Sequence, residues 1–349
     1  MADIYNETRH ARKIIVVDLG YLGDSIHLLP ALREIRDNYP QAELHVAATP
    51  VGSELLALCS SVDRTWPLAR SSRGTPWAEQ WRWIRDVRRQ HFDVAFNFSG
   101  TDRTVFLTYL SRARWRVAFA GGRRHFWNPW LIPHWVPRVD RNVHVAEQRR
   151  QVLATCGLKL GPMRYDLALP EPATRWAEQH VPARAVHLSI NAGHPLKEWP
   201  LERWTGLAHG LLERGPEVHL VATGTRHPRE QARLQQLAAA VHHPRLHLYS
   251  GTLTVAQLAA LLARCRLHVG ADSGALHLAT VLGVPTVSLF RDYEGLGEWL
   301  PRGEPHRSIV MPCRCVNQKI QPCAANARPD CLAAISVERV LQLIAVNQW

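Results

Sequence analysis

Along this chain, short runs of β-branched and aliphatic residues alternate with longer stretches whose apolar positions recur every three or four residues. The runs KIIVVDL, AELHVAA, FDVAFNF, AVHLSI, EVHLVAT, RLHVGA and PTVSLF predict strands. The stretches LPALREIRDNY, WAEQWRWIRDVRRQH, LERWTGLAHGLLERG, HPREQARLQQLAAAV and TVAQLAALLARC predict amphipathic helices. Such alternation predicts an α/β fold with parallel sheets and helices on both faces. The rhythm breaks once, where the proline-rich and polar residues 170–182 read as a linker before a new strand–turn–helix at Val186. Residues 115–141, dense in Trp, Pro and Arg, read as irregular surface structure on the first half.

Two turns carry candidate chemistry. The first, DLGYLGDS, follows the first strand and opens a helix. Gly20 and Gly23 let backbone approach a ligand there, and a helix N-terminus offers unpaired N–H groups. Asp24 reads either as a helix N-cap or as a carboxylate held for proton transfer. The full G-x-G-x-x-G spacing is absent, and no acidic residue ends the second strand, so a dinucleotide site finds little support. The second turn, GADSGALH, places Asp272 and Ser273 at the carboxyl end of a strand, where α/β sheets bind ligands, with His277 in the helix that follows. Upstream, NAGHPLKEWP contains Lys197, one of only four lysines against 38 arginines. A compact ammonium in an arginine-rich chain fits a single-point contact with a phosphate.

The stretches LGYLGDSIHLLPAL, KEWPLERW and ADSGALHLATVLGVPTVSLF, in this order and spacing, resemble the ADP-heptose:lipopolysaccharide heptosyltransferases, glycosyltransferase family 9. The resemblance runs from about Lys13 to Ile344, and the stretch FNFSGTDRTVFLTYLSRARWRVAF is similar to the heptosyltransferase III type. It implies a GT-B fold of two Rossmann-like domains facing across a cleft. It places an acceptor-binding domain at 1–170, a nucleotide-sugar domain at 171–335, and a C-terminal helix at 336–349 packing back toward the first. By position it implies that Asp24 is the catalytic base. The implied donor-binding set is Lys197, Asp272, Ser273, Gly274, His277, Gly193, His194, Thr223 and Glu230. Ala271, where many members carry Asn, and the absence of paired hydroxyl residues in NAGHPLK depart from the family pattern. Inversion at the anomeric carbon with release of ADP follows from a single base, and Lys197 with helix amides stands in for a metal on the diphosphate, so no cofactor is expected.

Composition adds three points. A net charge of +12 calls for an anionic partner, which an inner-core lipopolysaccharide acceptor supplies. Gly23, Arg70, Arg73, Arg123 and Arg124 fall on the expected acceptor domain, where the arginines also suit an anionic inner-membrane leaflet. No apolar run reaches the roughly 20 residues of a membrane span, and the N-terminus lacks a signal-peptide core. A cytoplasmic enzyme, peripheral on the inner membrane, is therefore expected, with no nucleic acid as partner. Four of seven cysteines, Cys313, Cys315, Cys323 and Cys331, crowd one loop, but their spacing departs from common zinc signatures and favours free thiols over a metal. The competing readings are a GT-B nucleotide-sugar epimerase acting on a UDP-sugar, a transferase of another sugar, and an inactive binding protein of the same fold.

Overall fold

The computed structural model describes residues 4–70, 76–119, 128–137, 140, 142–313, 315 and 329–347. The chain divides into two compact units, Met1–Ala168 and Leu169–Trp349. In the first unit, α1 (Ile4–Thr8), β1 (Lys13–Asp18), α2 (Leu22–Asn38), β2 (Glu43–Ala48), α3 (Pro50–Leu56) and β3 (Arg64–Pro67) come first. They are followed by α4 (Trp77–Arg88), β4 (Val94–Asn97), α5 (Asp102–Leu110), β5 (Trp115–Phe119), α6 (Asn128–Leu131), β6 (His134–Val136) and α7 (Val145–Thr155). The second unit begins with α8 (Glu171–His180), β7 (Val186–Ser189), α9 (Leu201–Leu212), β8 (Leu220–Gly224), α10 (Pro228–Val241) and β9 (Leu246–Ser250). It continues with α11 (Val255–Arg264), β10 (Leu267–Ala271), α12 (Gly274–Val281), β11 (Thr286–Arg291), β12 (His306–Met311), α13 (Asp330–Ala333) and α14 (Val337–Val346).

Both sheets are six-stranded and parallel, and both use one strand order. The first runs β3-β2-β1-β4-β5-β6 and the second β9-β8-β7-β10-β11-β12. Each order reverses direction at one point, between β1 and β4 and between β7 and β10. In open α/β sheets that reversal leaves a crevice at the carboxyl ends of the two strands, because the connecting helices leave to opposite faces. Asp24 follows β1, and Asp272 follows β10, so both sequence turns lie at these crevices.

Helices on both faces bury the central strands β1, β4, β7 and β10 almost completely. Ile14, Val16, Val94 and Phe96 meet Leu28, Leu32 and Ile35 of α2 in the first core. Leu188, Val269 and Val287 meet Trp204 and Leu207 of α9 and Leu234 of α10 in the second. Each such fully buried aliphatic side chain is worth about 1.5–3 kcal/mol. Val340 and Ile344 of α14 join this second core, and α14 packs along α9, where Gly210 leaves room for Leu341.

The structure corrects two local expectations. Residues 171–180 of the expected linker form α8, since Pro172 lies in the first turn, where its missing N–H costs nothing. Residues 115–141 contain β5 and β6 as well as α6. Their aromatic and basic side chains suit half-exposed positions toward the sheet edge, which hides the usual apolar signal. Arg73, Arg123, Arg124 and Cys323 lie outside the described residues.

Candidate functional site

At the first crevice, α2 begins at Leu22 with Tyr21 in the cap position. Asp24 is therefore not the N-cap but the third residue of the helix, and its Oδ2 accepts the Tyr21 N–H at 2.8 Å. Its side chain remains 27% exposed. The absent Cβ of Gly20 leaves room for Asp24 itself rather than for a ligand: a Cβ there would stand 2.2 Å from that of Asp24. Gly23 is buried in the same turn.

Two residues that sequence reasoning missed control this carboxylate. Asp18, the last residue of β1, accepts from the Gly20 N–H at 2.9 Å and from Ser99 Oγ at 3.0 Å, tying β1 to the end of β4. Arg149 of α7 lies 2.7 Å from Asp18 Oδ2 and 3.7 Å from Asp24 Oδ1, and also donates to the Asp24 carbonyl. Its neighbour Arg150 is paired at 2.8 Å with the buried Glu34 of α2, which fixes α7 against α2 and holds Arg149 in place. Arg70 lies across the exposed Tyr21 ring, 4.0 Å from its centre.

A helix N-terminus alone stabilises a carboxylate anion. Here the balance goes the other way. Burial and then the Asp18 charge raise the Asp24 pKa, outweighing Arg149, the Tyr21 N–H and Arg70. Asp24 is an anchored, partly open carboxylate of raised basicity, the property a general base needs.

At the second crevice, Lys197 Nζ lies 2.6 Å from Asp272 Oδ2, and His277 Nε2 lies 3.6 Å from Oδ1. Burial alone would raise the Asp272 carboxyl. The His277 hydrogen bond and the Lys197 ammonium overcome it and hold the group well below the usual carboxylate range. Ser273 caps α12, its Oγ accepting the Leu276 N–H at 3.4 Å and lying 3.1 Å from Ser189 Oγ across the strand-order reversal. Gly274 and Ala275 occupy the first turn, whose N–H groups have no intrahelical acceptor, an arrangement suited to an anion. A small pocket is lined by Leu289, Phe290, Leu332, Lys197, Asp272, Arg291 and Tyr293. The last two carried no sequence signal beyond their residue type.

The other expected donor residues divide. Gly193 and His194 sit on the exposed turn before Lys197, and His194 Nδ1 accepts the Leu196 N–H at 3.2 Å. Glu198 anchors that turn from beneath: it is buried, pairs with Arg229 at 2.7 Å and accepts the Ala192 N–H at 3.1 Å. Thr223 is committed inward, its hydroxyl 2.9 Å from His187 Nε2, and His187 in turn contacts His268 at 2.9 Å. Glu230 closes the β8–α10 turn, Oε2 accepting from both the N–H and the hydroxyl of Thr225 at 2.8 Å. Cys313 is a buried thiol. Among the described residues no cluster of three metal-ligating side chains occurs, and no helix is long and apolar enough to cross a membrane.

Residues 80–312 match glycosyltransferase family 9 (heptosyltransferase). The chain is 29% identical over 322 residues to lipopolysaccharide heptosyltransferase 1 of Pseudomonas aeruginosa, covering 86% of this chain and 85% of that one. It is 22% identical over 285 residues to the lipopolysaccharide core heptosyltransferase OpsX of Haemophilus influenzae, covering 81% and 80%. The solved structure of Escherichia coli ADP-heptose lps heptosyltransferase II superposes with a TM-score of 0.76 over 96% of this chain and 98% of that one, at 18% identity. That likeness shows a shared GT-B fold.

Proposed function

Because the chain belongs to glycosyltransferase family 9, the heptosyltransferases, we propose that it is an inverting enzyme that moves a heptose from ADP-L-glycero-D-manno-heptose to the inner core of lipopolysaccharide. The observation that carries this reading is the division of labour between the two crevices. One presents a carboxylate of raised basicity, and the other an ammonium and an open helix N-terminus.

In this reading Asp24 takes the proton of an acceptor hydroxyl as that oxygen bonds to the anomeric carbon. One base without a covalent intermediate gives inversion. The bond to the diphosphate breaks, and ADP leaves with its charge. On donor binding Lys197 has already exchanged Asp272 for the diphosphate, while the N–H groups of Gly274 and Ala275 and the turn at Gly193 and His194 bind its oxygens. Asp272, released from the ammonium but still beside His277, accepts from sugar hydroxyls. Glu230 has Oε1 outside its Thr225 bonds for a ribose hydroxyl. Arg70, beside the first crevice, receives an anionic acceptor, and a lipid-borne acceptor places the enzyme on the cytoplasmic face of the inner membrane. The similarity to Escherichia coli ADP-heptose lps heptosyltransferase II supports the donor.

The test is release of ADP from ADP-heptose in the presence of a heptose-containing core acceptor, alongside a panel of UDP-sugars. Acceptor-dependent ADP release is the expected result. Acceptor-independent conversion of a UDP-sugar would favour the epimerase instead.

A further inference from the structure

Exposed aromatic side chains are placed unevenly in this protein. Among the described residues the large exposed aromatics are Tyr21, Trp77, Trp81, Phe106, Tyr109 and Trp130, and all belong to the first unit. All except Tyr21 stand on α4, α5 and α6, and α5 packs against both of its neighbours. Residues 1–168 also hold 24 Lys and Arg against 16 Asp and Glu, a surplus of 8 out of the total of 12.

Helix α4 concentrates both properties on one side. Trp77 is 74% exposed and Trp81 59%. Four residues apart, they share a face. At about 100° per residue, the same half of the helix carries Ile84, Arg82 and Arg85, with Arg89 just past its end, while Glu79 and Asp86 fall on the opposite half. The core-facing stripe is separate: Val87 and Trp83 pack on Ile15, Val17 and Ala95. Arg88 is committed to the Leu110 carbonyl at 3.0 Å, which anchors α4 to α5. Arg85 and Arg89 approach Asp86 at 3.0 and 3.9 Å, on exposed side chains whose pairing is worth little in water.

Two tryptophans held in water by a helix whose core contacts are already satisfied define an interaction surface. Indole rings alternating with guanidinium groups suit the headgroup level of a bilayer, where the ring settles among the upper acyl carbons and the cation meets phosphate. The absence of acidic residues from this half favours an anionic surface. We propose that α4 docks the first unit on an anionic phospholipid surface, with Trp77 and Trp81 at headgroup depth and Arg82 and Arg85 on lipid phosphates. The purpose of this docking, delivery of the acceptor-binding unit to a lipid-borne substrate, rests on the heptosyl-transfer reading. The binding itself does not.

Vesicle flotation tests it, with vesicles of phosphatidylethanolamine and phosphatidylglycerol compared with phosphatidylcholine alone. The wild-type chain is expected to float with the anionic vesicles and to stay behind with the neutral ones. Trp77→Ser/Trp81→Ser and Arg82→Gln/Arg85→Gln are each expected to weaken flotation by about tenfold or more. Both are expected to turn over a soluble, delipidated core acceptor at the wild-type rate. If the tryptophan variant fails to fold, the arginine pair, exposed throughout, decides alone. No flotation of the wild type, or equal flotation of a folded variant, overturns the proposal. So does a concentration-dependent dimer that the tryptophan variant abolishes, since the face would then bind a second copy. Lost flotation with intact turnover touches only this inference, and absent turnover with intact flotation touches only the heptosyl-transfer reading.

Discussion

Asp24 works through three neighbours, and each makes a separate prediction. In the proposed role its raised pKa means that kcat/KM falls as pH drops through a value above that of an ordinary aspartate, because only the anion accepts a proton. Asp18 raises that value. In Asp18→Asn the raising charge is gone and Arg149 is left to Asp24 alone, so the acid limb of the pH–rate profile moves to lower pH. Arg149→Met moves it to higher pH. Unchanged limbs in both variants would show that Asp24 is not the group titrating. Gly20→Ala sets a Cβ against Asp24 and is expected to cost about 1–3 kcal/mol in thermal unfolding, together with most of the activity. Asp24 was legible because it sits in a local strand–glycine–helix pattern. Arg149 was not, because nothing local separates it from 37 other arginines; it becomes a site residue only when the fold brings α7 beside α2.

Helices and strands set these groups, and their ends position the residues proposed for the donor. Ser273→Ala removes the cap of α12 and is expected to cost about 1 kcal/mol of stability, read from denaturant unfolding. It also loosens the first-turn N–H groups, so KM for the nucleotide sugar rises. Lys197→Met is expected to lower kcat more than donor affinity, because the ammonium counters charge that grows as ADP leaves. A pure KM effect would mean that it only binds. The long amphipathic helices and the buried central strands were plain from periodicity. Strands β3, β5, β6, β9 and β12 escaped because they lie at or beside sheet edges, where most of their Arg and His residues are only partly buried or exposed. Helix α8 escaped because prolines in a first turn look like a linker until the helix behind them is seen.

At the scale of the whole molecule, two units repeat one strand order and place one charged cluster at each reversal. The repeat explains why a strand–turn–helix reading located both clusters: order reversal makes the crevice, and the sequence supplies the short polar turn that fills it. In the second unit, burial keeps the His187–His268 pair neutral, with His187 pushed down to about 3. The unfolded chain, titrating near 6.5, binds more protons between those values, so the pair's contribution is complete above pH 6.5 and is lost as pH falls toward 3. Thermal melts between about pH 6.5 and 5, above the ordinary carboxylate range, are expected to show a falling Tm. His187→Gln is expected to flatten that slope, and an unchanged slope would place the proton uptake elsewhere.

The central claim is that Asp24 is a base and not merely a helix-turn anchor. Turnover of ADP-heptose with a core acceptor, measured for the wild type and Asp24→Asn with donor binding as the control, tests it most directly. Asparagine keeps the size and an acceptor oxygen for the Tyr21 N–H but has no useful basicity. A variant that folds, binds donor and loses about a thousandfold or more in rate is the predicted result. A variant that turns over at the wild-type rate would contradict it.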